Sequence, residues 1–326
     1  MKKYLAIAFL LSGLSLPATA QETRIFTDSA GREVTIPASP QRIVALHDTS
    51  ITLPLVELGK PPVGSLGRVR PDGSRYLRAV ETILHTSFEN SDIDFVGQWA
   101  QFDLEAIAAL QPDLIIGLSG CQDDIYDQLA AITATVYVPC RPEDALEKIR
   151  MIAGAAGIVD RYETRIGAYR DAIEQAKDFI PEAGEITVSH IQAQGYDGKV
   201  HVYADYGALT TVLDDIGFAR PAPVDAMRAN GTDEEIISPE VIERYDGDFV
   251  IDTFRIDQDD SPANMLSRWA EMVPGYCVAL HACREGQFIA LPREHASPQS
   301  FTTLQYNINY VVTHIAGRDF APMDAE

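Results

Sequence analysis

This chain has no surplus of positive charge: 26 Lys and Arg stand against 48 Asp and Glu, a formal net charge of -22. Such a surface repels nucleic acid, so no nucleic-acid partner is expected. The chain also has no Gly-x-Ser-x-Gly turn, no His-Glu-x-x-His pair and no Gly-x-x-x-x-Gly-Lys-Ser/Thr loop. Those absences remove common signatures of serine hydrolases, zinc hydrolases and P-loop nucleotide binding. Ser119-Gly120-Cys121 is a weak echo of a nucleophile turn; a secreted hydrolase is the distant alternative it leaves, and no catalytic residue is assigned. Only four cysteines occur, at 121, 140, 277 and 283, none in a Cys-x-x-Cys pair, and the seven histidines stand singly. No resident metal site or cofactor is expected from such spacing. Beyond residue 20 no apolar run approaches a bilayer-spanning length.

What is present begins with a leader. Residues 1–20 combine Lys2 and Lys3, an apolar run from Leu5 to Leu16, and Ala18-Thr19-Ala20. This is the three-part pattern of a signal peptide cleaved before Gln21, and its apolar run is short for a membrane anchor. No Cys stands at the cleavage point. The expectation is therefore a mature chain free and soluble outside the cytoplasm, not a lipoprotein. Losing the leader removes two lysines and no acids, so the remainder is more acidic still. At 46% apolar composition it is long enough for two domains with substantial cores.

Four cysteines fit an oxidising compartment and allow three pairings. Cys121 follows an apolar run over 113–118 and Cys140 one over 135–138. If these are parallel neighbouring strands joined by a helix over 123–132, their ends lie side by side, which favours Cys121 with Cys140. Cys277 and Cys283 would then close a short loop. The longer ring is worth about 3 kcal/mol in the loop-entropy model. Metal ligation is the competing use.

One phrase of fifteen residues occurs twice, at Asp103–Gly117 and Ser238–Asp252, with Glu105 on Glu240, Ile107 on Ile242, Asp113 on Asp248 and Ile116 on Ile251. Each copy opens on a helix N-cap with an acid in the first turn. Each stops at Pro112 or Gly247 and continues as Leu114-Ile115-Ile116 or Phe249-Val250-Ile251, short runs apolar on both faces that predict buried parallel strands. Two such units suggest two similar lobes with a cleft between them, although any two αβ units would share part of the pattern.

Strand signals over 42–46, 62–66, 94–96, 113–118 and 135–138 alternate with helices, which argues for a parallel sheet covered by helices. A helix is expected from about Glu143 to Ala156, ended by Gly157. The next carries Tyr162, Ile166, Tyr169, Ile173 and Ala176 in a single stripe and runs to Pro181. At 1.5 Å per residue it is about 30 Å long, enough to bridge two lobes stiffly and permit only a small closure. Strand signals resume at 186–191, 199–203, 248–253 and 287–291. The predicted fold class is α/β: two lobes, each with a central, mainly parallel sheet flanked by helices, joined by one long interlobe helix, with the ligand cleft between them. The expected divisions are 1–20, 21–159, 160–180 and 181–326.

Phe26-Thr-Asp-Ser-Ala-Gly-Arg-Glu-Val-Thr-Ile-Pro37, Pro40-Gln-Arg-Ile-Val-Ala-Leu46, Leu58-Gly59, Pro62-Val-Gly64, and Val96-Gly97 leading into Asp103–Gly117 occur in this order. With Ser238-Pro-Glu240, Trp269 and Gly286-Gln-Phe288 they resemble, over essentially the whole mature chain, the periplasmic solute-binding proteins of iron-siderophore and cobalamin ABC importers. Val96-Gly-Gln-Trp-Ala-Gln-Phe-Asp-Leu-Glu-Ala-Ile107 resembles the corresponding segment of the ferric-dicitrate and ferric-siderophore binders. The resemblance implies capture of a ferric siderophore or ferric-dicitrate-like chelate between the lobes, delivery to an inner-membrane ABC permease, and no catalysis. The iron chelate is then transported ligand, not cofactor; cobalamin or haem is the alternative. The family often docks through a glutamate in the first helix of each lobe. Here Leu53 appears at the first position, with Glu57 a turn later, and Thr211 at the second, followed by Asp214 and Asp215, so docking uses shifted acids or the alignment is off.

In open α/β sheets ligands sit beyond the carboxyl ends of strands. In the first lobe these loops offer His47, Asp48, Arg68, Arg70, Gln98, Trp99 and Ser119. In the second they offer Gln192, Gln194, Tyr196, Tyr203, Tyr206, Phe254, Arg255, Arg293 and His295. Guanidinium forks suit the anionic oxygens of a ferric chelate, which singles out Arg68, Arg70, Arg255 and Arg293 in so acidic a chain; solvated salt bridges are the alternative use. Trp99, Tyr196 and Tyr206 offer stacking faces, or ordinary packing. His47, His295 and the tyrosines could ligate iron directly, but single histidines are more often structural. If the repeated phrase is scaffold, Ser119 and Arg255, just beyond its copies, should face one another across the cleft.

Overall fold

A computed structural model describes residues 22–140, 145–194 and 197–323. The proposed leader and the expected helix start at Glu143 fall outside these ranges. The chain opens with a hairpin of β1 (Thr23–Thr27) and β2 (Glu33–Pro37), turned through Gly31 at φ 78°. Gly31 takes the left-handed conformation at little cost because it has no Cβ.

Seven strands form the first large sheet: β3 (Ile43–Ala45), β4 (Gly64–Val69), β5 (Arg75–Tyr76), β6 (Asp94–Gln98), β7 (Gln101–Phe102), β8 (Leu114–Ser119) and β9 (Thr135–Pro139). Its order is β7-β6-β4-β3-β8-β9, with β5 hairpinned onto β4. The strands β6, β4, β3, β8 and β9 are parallel. Leu114 to Leu118 is buried throughout, as a strand covered on both faces must be.

The second sheet has β10 (Val188–Gln194), β11 (Lys199–Tyr203), β12 (Glu234–Ile237), β13 (Phe249–Phe254) and β14 (Phe288–Pro292), ordered β12-β11-β10-β13-β14. It is mixed: β10, β13 and β14 run parallel, while β11 and β12 are antiparallel additions. The edge strand β12 is mostly exposed, so it carried no apolar signal.

Helices α1 (Leu53–Glu57), α2 (Arg78–Leu84), α3 (Leu104–Ala109) and α4 (Ala145–Ala156) belong with the first sheet, and α6 (Ala208–Ile216), α7 (Arg293–Ala296) and α8 (Phe301–Ile315) with the second. Between them runs α5 (Val159–Phe179), whose Tyr162, Ile166, Tyr169, Ile173 and Ala176 are all buried. It packs on α4 on one side and on α6 and α8 on the other. One apolar cluster consequently runs from Ile43 and Ile116 through Ile166 and Ile173 to Leu209, Ile251 and Leu304.

The two copies of the repeated phrase differ in their first halves. Asp103 caps α3, its Oδ1 accepting from Ala106 N at 2.9 Å, whereas Ser238 makes no side-chain cap and Pro239–Tyr245 is a 3-10 helix. Alanines and leucines favour the α-helix in the first copy; Val241, Ile242 and Tyr245 favour it less in the second. Their aspartates do equivalent work. Asp113 accepts from Gln41 N (2.7 Å) and Arg42 N (2.9 Å) just before β3, and Asp248 accepts from Thr187 N (2.7 Å) just before β10.

Candidate functional site

Sheet register gathers the charged loop residues. Ala45 pairs with Ser65 in parallel, so Asp48 and Arg68, each three residues further on, leave the first sheet together. Phe254 pairs with Pro292, so Arg255 and Arg293 leave the second side by side. The segment Ile256–Gln258 and α7 both pack against α2 of the first lobe.

On the first-lobe side Asp48 is the centre. Arg78 donates to it through Nε (2.9 Å) and Nη2 (2.7 Å), and Arg68 Nε stands 3.7 Å away. Burial alone would raise the Asp48 carboxyl, but the Arg78 bonds and charge outweigh it and hold the group well below the usual range. His47 accepts from Ser50 N through Nδ1 (3.0 Å), and burial lowers its pKa to about 3, leaving a neutral ring. Trp99 meets that ring edge-on at 5.5 Å.

The second-lobe side holds two buried acids, Asp257 and Glu294. Arg255 grips Asp257 through Nε (3.1 Å) and Nη2 (2.9 Å). Asp257 lies within hydrogen-bonding reach of Glu294, which burial and this neighbour push up to about 7. Burial works to lower the Arg293 pKa, but Tyr206, Glu294 and Asp257 outweigh it and the net shift is upward. Tyr206 bonds Thr253 Oγ1 at 3.0 Å, as Gln192 Nε2 does at 2.6 Å. His190, Tyr203 and Tyr206 form an aromatic cluster with centroids 3.9 to 5.0 Å apart.

Across the gap, Arg68 feels Arg255. Burial is the main cause of its lowered pKa, followed by the like charge of Arg78; Asp48 and Tyr76 work the other way, and Arg255 adds a smaller like-charge repulsion. Tyr76 likewise senses Asp257 and Arg255 from the other lobe. Guanidiniums from two lobes thus approach one another while each remains about a third exposed, Arg68 at 28% and Arg255 at 31%.

The structure therefore groups Arg68, Arg255, Arg293 and Tyr206, with Arg70 beside them, its guanidinium 4.0 Å from the Tyr76 ring centroid and 3.4 Å from Glu81. Gln194 joins through Tyr203, to which its Nε2 donates at 2.9 Å. Gln98 is turned to Gln101 (2.8 Å), and His295 to Tyr310 (2.8 Å), packing α7 on α8. Tyr196 lies outside the described residues. Ser119 does not meet Arg255: it bonds Ser29 of the first hairpin at 2.7 Å. The reason is strand order, since β3 separates β8 from β4 and places Ser119 about 10 Å along the sheet from the strand that carries Arg68.

Reading the sequence missed Arg78, Asp257 and Glu294. An arginine opening a helix and two acids close to chosen arginines were the available signals. Glu57, considered above for docking, has a side chain only 1% exposed and accepts from Phe301 N (2.8 Å) and Thr302 N at the start of α8. Asp214 is bound to Arg220 and Arg228, and Asp215 to Tyr169 (2.6 Å). These acids are committed internally. The disulfides are Cys121–Cys140 and Cys277–Cys283. Among the described residues no group of three His, Cys, Asp or Glu could hold a metal ion, and no helix is long and apolar enough to cross a membrane. Two cavities, of about 390 and 330 Å³, are lined by none of Arg68, Arg70, Arg255 and Arg293; they lie beside Glu57 and Arg161 and beside Lys199 and Ile236.

Comparisons with known proteins bear on this geometry. A family model described as periplasmic binding protein matches residues 84–293. The probable siderophore-binding lipoprotein YfiY of Bacillus subtilis is 28% identical over 68% of this chain and 69% of its own. The Fe(3+) dicitrate-binding periplasmic protein FecB of Escherichia coli is 25% identical over 66% and 68%. Staphylococcus aureus SirA, solved in complex with staphyloferrin B, superposes with a TM-score of 0.75 at 21% identity, covering 90% of this chain and 98% of its own. The expectation of a free periplasmic protein, not a lipoprotein, is corrected by YfiY and by YhfQ of Bacillus subtilis, lipoproteins by name. A missing cysteine at one possible cleavage point was too narrow a basis for that expectation.

Proposed function

Because the chain belongs to the periplasmic binding protein family, we propose that it captures an anionic ferric chelate, a ferric siderophore or ferric-dicitrate-like complex, and passes it to an inner-membrane ABC permease. The lobes of this reading are residues 21–159 and 181–326, with the helix of 160–180 as the bridge and the protein acting as a monomer without a catalytic step. One observation carries the reading: Arg68 and Arg255 stand at strand ends of the two sheets, brought together where the segment after Arg255 packs on α2, so that like charges from opposite lobes repel. A bridging anion turns that repulsion into attraction to both lobes, which is what a closing cleft requires. The names of YfiY and FecB supply the chemical class, an iron(III) chelate.

The test is a fluorescence titration. Trp99 is 37% exposed, while Trp269 is fully buried, so quenching should come from Trp99 and disappear in Trp99→Phe. Ferric dicitrate and ferric catecholate, hydroxamate and carboxylate siderophores are the probes. Saturable quenching by an anionic ferric chelate, weakened about 10- to 100-fold in Arg68→Ala and in Arg255→Ala, is expected from the loss of a charge-assisted hydrogen bond. No response to any ferric chelate, with saturation by haem or cobalamin, would overturn it.

A further inference from the structure

Arg255 is already engaged. Its guanidinium holds Asp257 by the two-bond fork with which arginine grips any carboxylate. The Asp257 side chain is 2% exposed. Glu294, 3% exposed, stands within hydrogen-bonding reach of it, accepts from Ile256 N through Oε2 (3.0 Å), and has an Oε1 without a partner. With Asp257 held ionised by Arg255, burial and that neighbouring charge raise the Glu294 carboxyl to about 7, so near neutral pH Glu294 is part-protonated and able to donate to Asp257.

We propose that Asp257 occupies Arg255 as a built-in substitute for the ligand's anionic group, and that Glu294 is the positioning residue that receives Asp257, through a shared proton, when a ligand displaces it. This rests on the reading of the cleft as an anionic-chelate site. It makes Asp257 a specificity determinant. A carboxylate or catecholate chelate has an anionic group able to replace a buried carboxylate on a guanidinium; a neutral or cationic hydroxamate chelate does not.

The other charged and titratable groups around the pair are held in place. Arg293 and Tyr206 flank it, and Tyr76 faces it from β5. On α2, Arg78 is bound to Asp48 and Glu81 accepts from Leu77 N; where α7 meets α8, His295 bonds Tyr310 and packs on Tyr306. Once displaced, Asp257 loses the cation that favours its charged form, so the pair binds its proton more tightly than before. The sign follows from linkage. Below about pH 7, where Glu294 already carries the proton, binding takes up none and affinity is at its full value. Above it, binding must take up a proton, and affinity falls by up to about tenfold per pH unit.

The experiment measures the dissociation constant of ferric dicitrate, in excess citrate, between about pH 6 and pH 9 for the wild type, Glu294→Gln and Asp257→Asn. The ratio of variant to wild type at each pH cancels changes in the ligand itself. Expected are a wild type that weakens above about pH 7, a Glu294→Gln variant that does not, and an Asp257→Asn variant that binds more tightly than wild type at about pH 8. The same pH dependence in wild type and Glu294→Gln, or no tightening in Asp257→Asn, overturns the linkage and leaves the cleft reading standing. Should Glu294→Gln fail to fold, the Asp257→Asn comparison decides alone. No binding of ferric dicitrate, catecholate or hydroxamate chelates at any pH overturns both.

Discussion

The two lobes use the same residue types to opposite electrostatic ends. In the first, one buried acid, Asp48, serves Arg78 and Arg68, and is held firmly ionised. In the second, two buried acids, Asp257 and Glu294, serve Arg255 and Arg293, and one proton is shared. The first arrangement is a fixed support that leaves Arg68 incompletely paired. The second is adjustable, because its net charge depends on a proton that moves near neutral pH. The stability consequences differ in sign as well. A carboxyl depressed on folding adds stability above its unfolded value, near pH 4, that is lost only as pH falls through its folded value. A carboxyl raised on folding, as Glu294 is, adds stability that is complete below its unfolded value and is lost as pH rises toward about 7.

The largest test of that contrast is Asp48→Asn. It leaves Arg78 without its bidentate partner and brings Arg68 and Arg78 together uncompensated. Removing one member of a buried pair costs about 3–5 kcal/mol, here toward the lower end because Arg78 is still 17% exposed. Urea unfolding near pH 7 should show the loss, and Glu294→Gln under the same conditions should cost much less, because an amide replaces a group already close to neutral. Equal losses would erase the distinction between a fixed and an adjustable side.

Why one side was easier to foresee than the other is a matter of sequence distance. Buried parallel strands announce themselves as short apolar runs, and Leu114–Ser119 and Phe249–Phe254 lie within a residue or two of the expected spans. The α5 stripe is equally local, since one helix face is written in consecutive turns. The hairpin at the N-terminus and β12 carry little apolar pattern, and neither was foreseen as a strand. Arg68 and Arg255 could be chosen because each follows a strand in an acidic chain. What could not be read is which acid each arginine meets. Arg78 reaches Asp48 across 30 residues, and Glu294 meets the segment after β13 across 38; both encounters depend on parallel register, which no local pattern states. The Ser119–Arg255 expectation treated equivalent places in two sheets as neighbours without the strand order, and Ser119 instead bonds Ser29.

Disulfides extend the comparison to the chain's connectivity. Cys121–Cys140 spans 19 residues and ties the ends of β8 and β9 in the first lobe, with Cα atoms 6.0 Å apart. Cys277–Cys283 spans 6 residues in the second. Loop entropy assigns about 3 kcal/mol to the first ring and about 2 kcal/mol to the second. Replacing each pair by alanine and measuring unfolding in urea should reproduce that order. A larger loss from the short ring would mean that it holds native structure between Tyr276 and Arg284 rather than merely restricting the unfolded chain.

The smallest expected effect concerns the place where the lobes are joined. Glu57 stands at the end of α1 in the first lobe, yet its carboxylate caps α8 in the second, with Arg165 of α5 at 3.5 Å. The first amides of a helix have no partner within it, and an acid at that end also meets the favourable end of the helix dipole. Glu57→Gln keeps an acceptor but removes the charge; Glu57→Ala removes both and should cost about 1–2 kcal/mol, with Gln between it and wild type. If the cap served α8 alone, only stability would change. Because it spans the lobes, the same substitution should also loosen the approach of Arg255 to Arg68 and weaken ferric dicitrate binding by a few fold, without altering the pH dependence that belongs to Asp257 and Glu294. Unchanged binding in a destabilised Glu57→Ala protein would show that the α5 core alone fixes how the lobes meet.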